Sequence, residues 1–227
     1  MRPATTARDP RVVRAARLLR DEDARREEGA FVVDDAELLR AAVAEGVEVE
    51  WALRAEEIAE DALRALAFAG QAPDVVAVCR IPRRPSGPLP PRSLLLARVT
   101  DEGNIGSIVR TAAAFGLSRV ALTRGCGDPW SRKALRAARG AAFRRGLVAE
   151  GHALEGGLLA AAVPRGGVDP RELPPRASVV LGSERDGLSA EERAACELAV
   201  TIPAPGFESL NVAAAAAILT YELTRRP

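Results

Sequence analysis

Three stretches decide how this chain reads: Asn104-Ile105-Gly106-Ser107-Ile108-Val109-Arg110, Leu181-Gly182-Ser183-Glu184-Arg185-Asp186-Gly187-Leu188, and Ile202-Pro203-Ala204-Pro205-Gly206-Phe207-Glu208-Ser209-Leu210-Asn211. Each sets polar side chains and glycines at the edge of an apolar run. Each is also preceded by a short apolar segment of strand character: 93–98, Ser178–Leu181 and 198–202. A helical pattern follows each one. In an open α/β sheet, ligands sit beyond the carboxyl ends of the strands. The three stretches are therefore expected on one rim of one sheet.

Working outward, the same alternation covers the chain. Helices are expected over residues 11–20, 36–45, 56–69, 105–115, 128–143, after the capping box Ser189-Ala190-Glu191-Glu192, and over 210–224. Strands are expected at Ala30–Val33, 47–52, 75–79, 93–98, 119–123, 158–163, Ser178–Leu181 and 198–202. Asn104 is read as an N-cap, and Ser209 or its neighbour as the cap of the last helix. Strands alternating with helices imply a mainly parallel sheet covered on both faces. Residues 82–91, rich in proline, cannot join a helix or a central strand. They read as a linker between a small α/β unit (1–81) and a larger one (92–227).

Composition sets bounds. With 227 residues, 48% hydrophobic and 28% charged, the chain is that of a globular protein. Its apolar runs are too short to cross a membrane, and residues 1–10 lack a signal-peptide core, so a cytoplasmic protein is expected. Cys79, Cys126 and Cys196 are widely separated, which suits reduced thiols rather than a disulfide framework. His152 is the single histidine, and no metal-ligand cluster stands out, so no metal site is expected. The net charge of +1 gives no whole-chain sign of nucleic acid. Its basic residues are nearly all arginine, Lys133 being the exception. That choice suits phosphate and stacking contacts.

Each stretch also has a bland reading. The segment 182–187 resembles a phosphate-binding loop, but Leu188 stands where that loop needs a lysine, and it can be an ordinary strand-to-helix turn. No G-x-G-x-x-G follows a strand, which argues against a dinucleotide-binding oxidoreductase. Arg110 shares a helix face with Gly103, Gly106, Ser107 and Ala114, and alone could be a solvated surface arginine. Ser209 and Asn211 could be only helix-terminal polar residues.

Taken together, the stretches resemble the three motifs of the SpoU-type 2′-O-ribose RNA methyltransferases of the knotted α/β (SPOUT) superfamily. Asn104, Gly106 and Arg110 match the first, Gly182, Glu184 and Gly187 the second, and Ile202, Pro203, Gly206, Ser209, Leu210 and Asn211 the third. The resemblance spans residues 92–227. It implies an α/β domain with a C-terminal trefoil knot, S-adenosylmethionine as methyl donor, and a homodimer formed through the C-terminal domain. It implies a catalytic set of Arg110, Asn104, Ser209, Glu184 and Asn211, in which Glu184 fixes loop geometry. It also implies cofactor contacts at Gly182, Ile202, Pro203, Leu210, Thr123 and Leu181. The N-terminal part resembles the ribosomal-protein-like substrate-binding domain that often precedes this domain, through 25–33. Asp34-Asp35, Glu37 and Val75 depart from its pattern. Arg25, Arg26, Arg83 and Arg84 are the candidate RNA contacts. The expected substrate is ribosomal RNA; transfer RNA and a non-catalytic RNA-binding assembly factor are the alternatives.

Overall fold

The computed structural model describes residues 5–68, 70–82, 87–206 and 209–225. Arg83 and Arg84, and Phe207 and Glu208 of the third motif, lie outside them. The chain runs α1 (Pro10–Arg20), α2 (Glu22–Glu28), β1 (Ala30–Val33), α3 (Ala36–Ala44), β2 (Val49–Arg54), α4 (Glu60–Leu66) and β3 (Val75–Arg80). It continues through β4 (Ser93–Leu96), α5 (Glu102–Ala114), β5 (Arg119–Leu122), α6 (Arg132–Ala138), β6 (Val148–Glu150) and β7 (Leu159–Ala162). It ends with β8 (Ser178–Leu181), α7 (Ala190–Ala194), β9 (Leu198–Val200) and α8 (Val212–Thr224).

The first three strands form an antiparallel sheet in the order β1-β3-β2. Side chains alternate across a strand, so each face of this sheet has its own set. Ala30, Val32, Val76 and Val78 pack with Val12, Leu18, Ala62 and Leu66 of α1 and α4. Phe31, Val33, Ala77 and Cys79 face the other way, into a core continuous with Trp130, Leu135 and Phe143 of the later part. Phe31 stacks on Phe143 at 5.8 Å between ring centroids and tilts against Trp130 at 5.3 Å. The two parts therefore share one core.

Two groups of buried ions mark the same boundary. The Arg25 guanidinium donates to Asp128 and to the Leu18 carbonyl. Asp34 accepts from Arg132 and Arg136, and both guanidinium groups lie over the Phe68 ring. This corrects the expectation for Arg25. It is 5% exposed and already paired, so it has no free face for a phosphate. It also explains Asp34-Asp35: Asp34 is a buried anchor, and Asp35 caps α3 by accepting from the Leu38 N–H.

The other six strands form one parallel sheet in the order β6-β5-β4-β8-β7-β9. On one face α5, α6 and α8 cover Leu94, Leu96, Val120, Leu122, Val179 and Leu181. The opposite face is covered more thinly. Leu95, Ala121, Ala161 and Val180 pack there under Leu89, Leu154, Leu188 and Cys196, and α7 has five residues. No helix joins β6 to β7. Helix 128–143 is broken: Ser131 caps α6, which ends at Arg139 with φ 51°, and a single 3-10 turn follows at Ala141–Phe143.

Candidate active site

The parallel ladders send β4, β8 and β9 out at one edge, so the loops after Leu96, Leu181 and Val200 meet there. Strand order reverses between β4 and β8, the switch point where such sheets open a crevice.

At this edge Glu184 reaches across from the β8 loop to the start of α5. Its Oε1 accepts from the Asp101 N–H at 3.2 Å and from Asn104 Nδ2 at 3.1 Å, and its Oε2 from the Thr100 N–H at 3.3 Å. Burial alone would raise this carboxyl. The donors from Asn104 and from backbone N–H groups outweigh it, and the group is held below its ordinary value. Asn211 joins from α8, its Nδ2 donating to Asn104 Oδ1 at 3.3 Å. Its own Oδ1 accepts from the Ala213 and Ala214 N–H groups. One side chain from each of the three motifs thus forms a single hydrogen-bonded chain.

Two capping expectations are corrected here. Asp101, not Asn104, is the N-cap of α5, accepting from the Asn104 N–H at 2.8 Å while Lys133 holds its other oxygen. That cap, one turn earlier, leaves the Asn104 side chain free for Glu184. Asn211, not Ser209, caps α8. Ser209 is exposed, and among the described residues it has no hydrogen-bond partner.

Glycine is required by close approach at two points. A Cβ on Gly182 would stand 2.2 Å from the Gly187 carbonyl carbon, so the 183–187 turn could not close on the strand end. A Cβ on Gly106 would stand 2.2 Å from the Ala134 carbonyl oxygen, so α5 could not press against α6.

Sequence reasoning missed Arg98 as a brace beneath the site. Its backbone is left-handed, with φ 57°. Its guanidinium makes two 2.8 Å bonds to Glu192 and one of 3.1 Å to the Gly187 carbonyl, tying the exit of β4 to the β8 loop. The Arg98 guanidinium and the Ser189 bonds hold Glu192 down at about 2, against the opposing effect of burial. The capping box at Ser189 was legible in the sequence; nothing in the sequence linked it to Arg98.

Arg110 is exposed on α5, and among the described residues it has no ion pair or hydrogen bond. It stands six residues beyond Asn104, about 9 Å along the helix axis at 1.5 Å per residue. Ile105, Ile108, Val109 and Ala112 are buried. Arg26 is exposed and pairs with Glu22 of its own helix at 2.6 Å. It lines a groove of about 360 Å³ with Thr123, Arg124, Gly125 and Gly127 at the end of β5. Thr123 is fixed there, its hydroxyl accepting from the Arg98 N–H and donating to the Arg124 carbonyl.

The third-motif edge combines free backbone groups with apolar side chains. Among the described residues the N–H groups of Gly182, Ile202 and Leu210 make no hydrogen bond, and Leu210 is 38% exposed. Unpaired backbone donors beside Ile202, Pro203 and Leu210 fit a flat heteroaromatic base, which needs edge hydrogen bonds and apolar faces.

Comparison with known proteins agrees with this geometry. The SpoU rRNA Methylase family matches residues 91–221, more than half of the chain. The chain is 33% identical over 186 residues to the 23S rRNA (guanosine(2553)-2′-O)-methyltransferase RlmP of Bacillus subtilis, a match covering 78% of this chain and 75% of that protein. It is 39% identical over 144 residues to an uncharacterized tRNA/rRNA methyltransferase of Synechocystis, covering 59% of this chain and 53% of that one. Among solved structures, the SpoU methyltransferase AviRb of Streptomyces viridochromogenes, in complex with AdoMet, superposes with a TM-score of 0.85. That match has 26% identity and covers 96% of this chain and 98% of that one. No helix among the described residues is long and apolar enough to cross a membrane. With the family match over the whole parallel sheet, and its three motifs joined through Glu184, Asn104 and Asn211, the chain belongs to the SpoU rRNA methylase family.

Proposed function

We propose that this protein transfers a methyl group from S-adenosylmethionine to a ribose 2′-hydroxyl of ribosomal RNA. The observation that carries the reading is the Asn104–Glu184–Asn211 chain, which locks three loops together at one strand edge. RlmP, named for 2′-O-methylation of 23S rRNA, supports the substrate.

S-adenosylmethionine, when bound, supplies an electrophilic sulfonium methyl. Backbone groups at Gly182, Ile202 and Leu210, beside Leu181 and Pro203, would hold its adenosine part, with Thr123 at the neighbouring loop. Glu184 acts by fixing the loops rather than by moving protons: its two oxygens are occupied by three donors. Asn104 and Ser209 position the ribose. A guanidinium is always protonated, so Arg110 serves as a cation that grips the phosphate next to the target and orients the hydroxyl. Holding nucleophile and methyl in line lowers the barrier to such a displacement, and the hydroxyl proton leaves to solvent water.

We further propose a homodimer through α8 and the end of α5. Ile218 and Tyr221 of α8 and Phe115 of α5 are 40%, 51% and 43% exposed, and Phe115 meets Tyr221 edge-on at 6.0 Å. Exposed apolar side chains gathered at one place support this reading. In this reading Arg110, five residues before Phe115 on α5, acts near the cofactor loops of the other subunit. The N-terminal unit, with Arg26 and Arg124 flanking the groove at β5, is read as guiding RNA to this edge, in the cytoplasm.

The test is incubation of the purified protein with tritiated donor and either ribosomal or transfer RNA, followed by digestion to nucleosides. Label in a 2′-O-methylnucleoside from ribosomal RNA is expected. Label only in transfer RNA would move the substrate, and label on a base would contradict the ribose assignment.

A further inference from the structure

Many arginines of this chain are neutralised by a carboxylate, as Arg14 is by Glu28 and Glu50, Arg98 by Glu192 and Arg171 by Asp169. A different pattern holds at the N-terminal edge of the parallel sheet, opposite the candidate active site. Arg144 and Arg145 precede β6, Arg119 opens β5, Arg92 precedes β4 and Arg176 precedes β8. These four strands are consecutive neighbours, and Ser93 pairs with Arg119 in register. At about 4.8 Å per strand the row is about 14 Å across.

Three of these guanidinium groups donate to backbone carbonyls. Arg92 donates to the Pro175 carbonyl, Arg119 to the Gly146 carbonyl and Arg144 to the Ala113 carbonyl. Among the described residues Arg119, Arg144, Arg145 and Arg176 have no carboxylate partner. Arg119 Nη1 is buried and, among the described residues, has no acceptor. A carbonyl fixes a guanidinium without cancelling its charge, so Arg119 and Arg144 are held ready, and with Arg145 and Arg176 they stand uncompensated among the described residues. The acids of the edge lie mainly at its other half, Glu155 before β7 and Glu197 before β9, while Glu172 stands four residues before Arg176.

We propose that this row is a second RNA-contact surface, gripping the phosphate backbone of a structured RNA whose target ribose lies at the opposite edge. This rests on the reading of the chain as an RNA methyltransferase. The β4 and β8 strands have four residues each, so the two edges are about 13 Å apart at 3.3 Å per residue. A dinucleotide held at the active edge is too short to cover the row as well, whereas a folded RNA that wraps the sheet covers both edges. The surface therefore selects for RNA size and fold rather than sequence, since phosphate contacts carry no sequence information.

The double reversal Arg145→Glu with Arg176→Glu tests this, because both side chains are exposed and unpaired. Affinity for a long ribosomal RNA transcript is expected to fall about tenfold or more. The slope of log K against log salt should shrink by about 1.4 to 1.8, at about 0.7 per phosphate on single strands and about 0.9 on duplex. Binding of a target dinucleotide should be unaffected. Reversal at Arg54 and Arg64, which changes net charge equally, should not reproduce the effect. Phenylglyoxal modification of the wild-type protein provides a measurement independent of any variant. Long RNA should protect Arg145 and Arg176, as read by mass spectrometry. Unchanged affinity and slope in the variant, or modification indifferent to bound RNA, would overturn the proposal while leaving the methyltransferase reading intact. A wild-type protein that binds no RNA would overturn both.

Discussion

Arg110 and Asn104 stand six residues apart on one helix and are treated very differently by the fold. Asn104 is held from two sides, by Glu184 and by Asn211, whereas Arg110 is exposed and has no partner among the described residues. A free cation beside a locked loop is what orienting an incoming anionic substrate requires. Arg110→Ala should therefore leave donor affinity in calorimetry near the wild-type value and lower single-turnover methyl transfer by about 10²–10³. Arg110→Lys should not restore the rate, since an ammonium lacks the planar fork. Wild-type turnover in Arg110→Ala would return the residue to the solvated surface. The types and spacing of these residues were legible in the sequence, but their local bonds were not. Asp101 and Asn211 took the caps assigned to Asn104 and to Ser209 or its neighbour, because capping depends on which backbone N–H groups the turn leaves open. Arg25 looked like a surface cation because its partner, Asp128, is 103 residues away.

At the scale of elements, the strands were readable from their apolar runs, and the parallel sheet follows from their alternation with helices. Two features escaped. Helix α2 is short and made almost wholly of charged residues, with no apolar stripe to announce it. Strand β6 has three residues and pairs only at the sheet edge. The link from β4 to the β8 loop was equally silent, since Arg98 and Glu192 are 94 residues apart. That pair makes a pH-dependent contribution. Glu192 in the folded chain is depressed to about 2 from an ordinary 4.5. The unfolded chain therefore takes up a proton first as pH falls. The pair's stabilisation is complete above about 4.5 and is lost progressively down to about 2. Glu192→Gln should lower the melting temperature at pH 7 and flatten its fall between pH 5 and 3. A variant whose melting curve tracks the wild type across that range would show that the bond does not brace the loop.

For the whole molecule, the 82–91 segment suggested two units joined by a linker, but the structure gives them one core. Phe31 and Phe143 stack across the boundary, and buried Arg25–Asp128 and Asp34–Arg132 pairs pin it. Removing one member of such a pair strands the other charge, a loss of about 3–5 kcal/mol. Cutting the chain at residue 92 would expose this core, so quaternary structure is better probed on the full chain. Sedimentation at micromolar concentration should give a dimer for the wild type and a monomer for Ile218→Glu with Tyr221→Glu. A monomeric wild type would remove the shared site from the account.

Ribose methylation of ribosomal RNA is checked in cells by mapping 2′-O-methyl groups across total RNA with and without this protein. One ribosomal RNA position is expected to lose its 2′-O-methyl group when the protein is absent and to regain it with the wild type but not with Arg110→Ala. An unchanged map, or a lost methyl on a base, would contradict it.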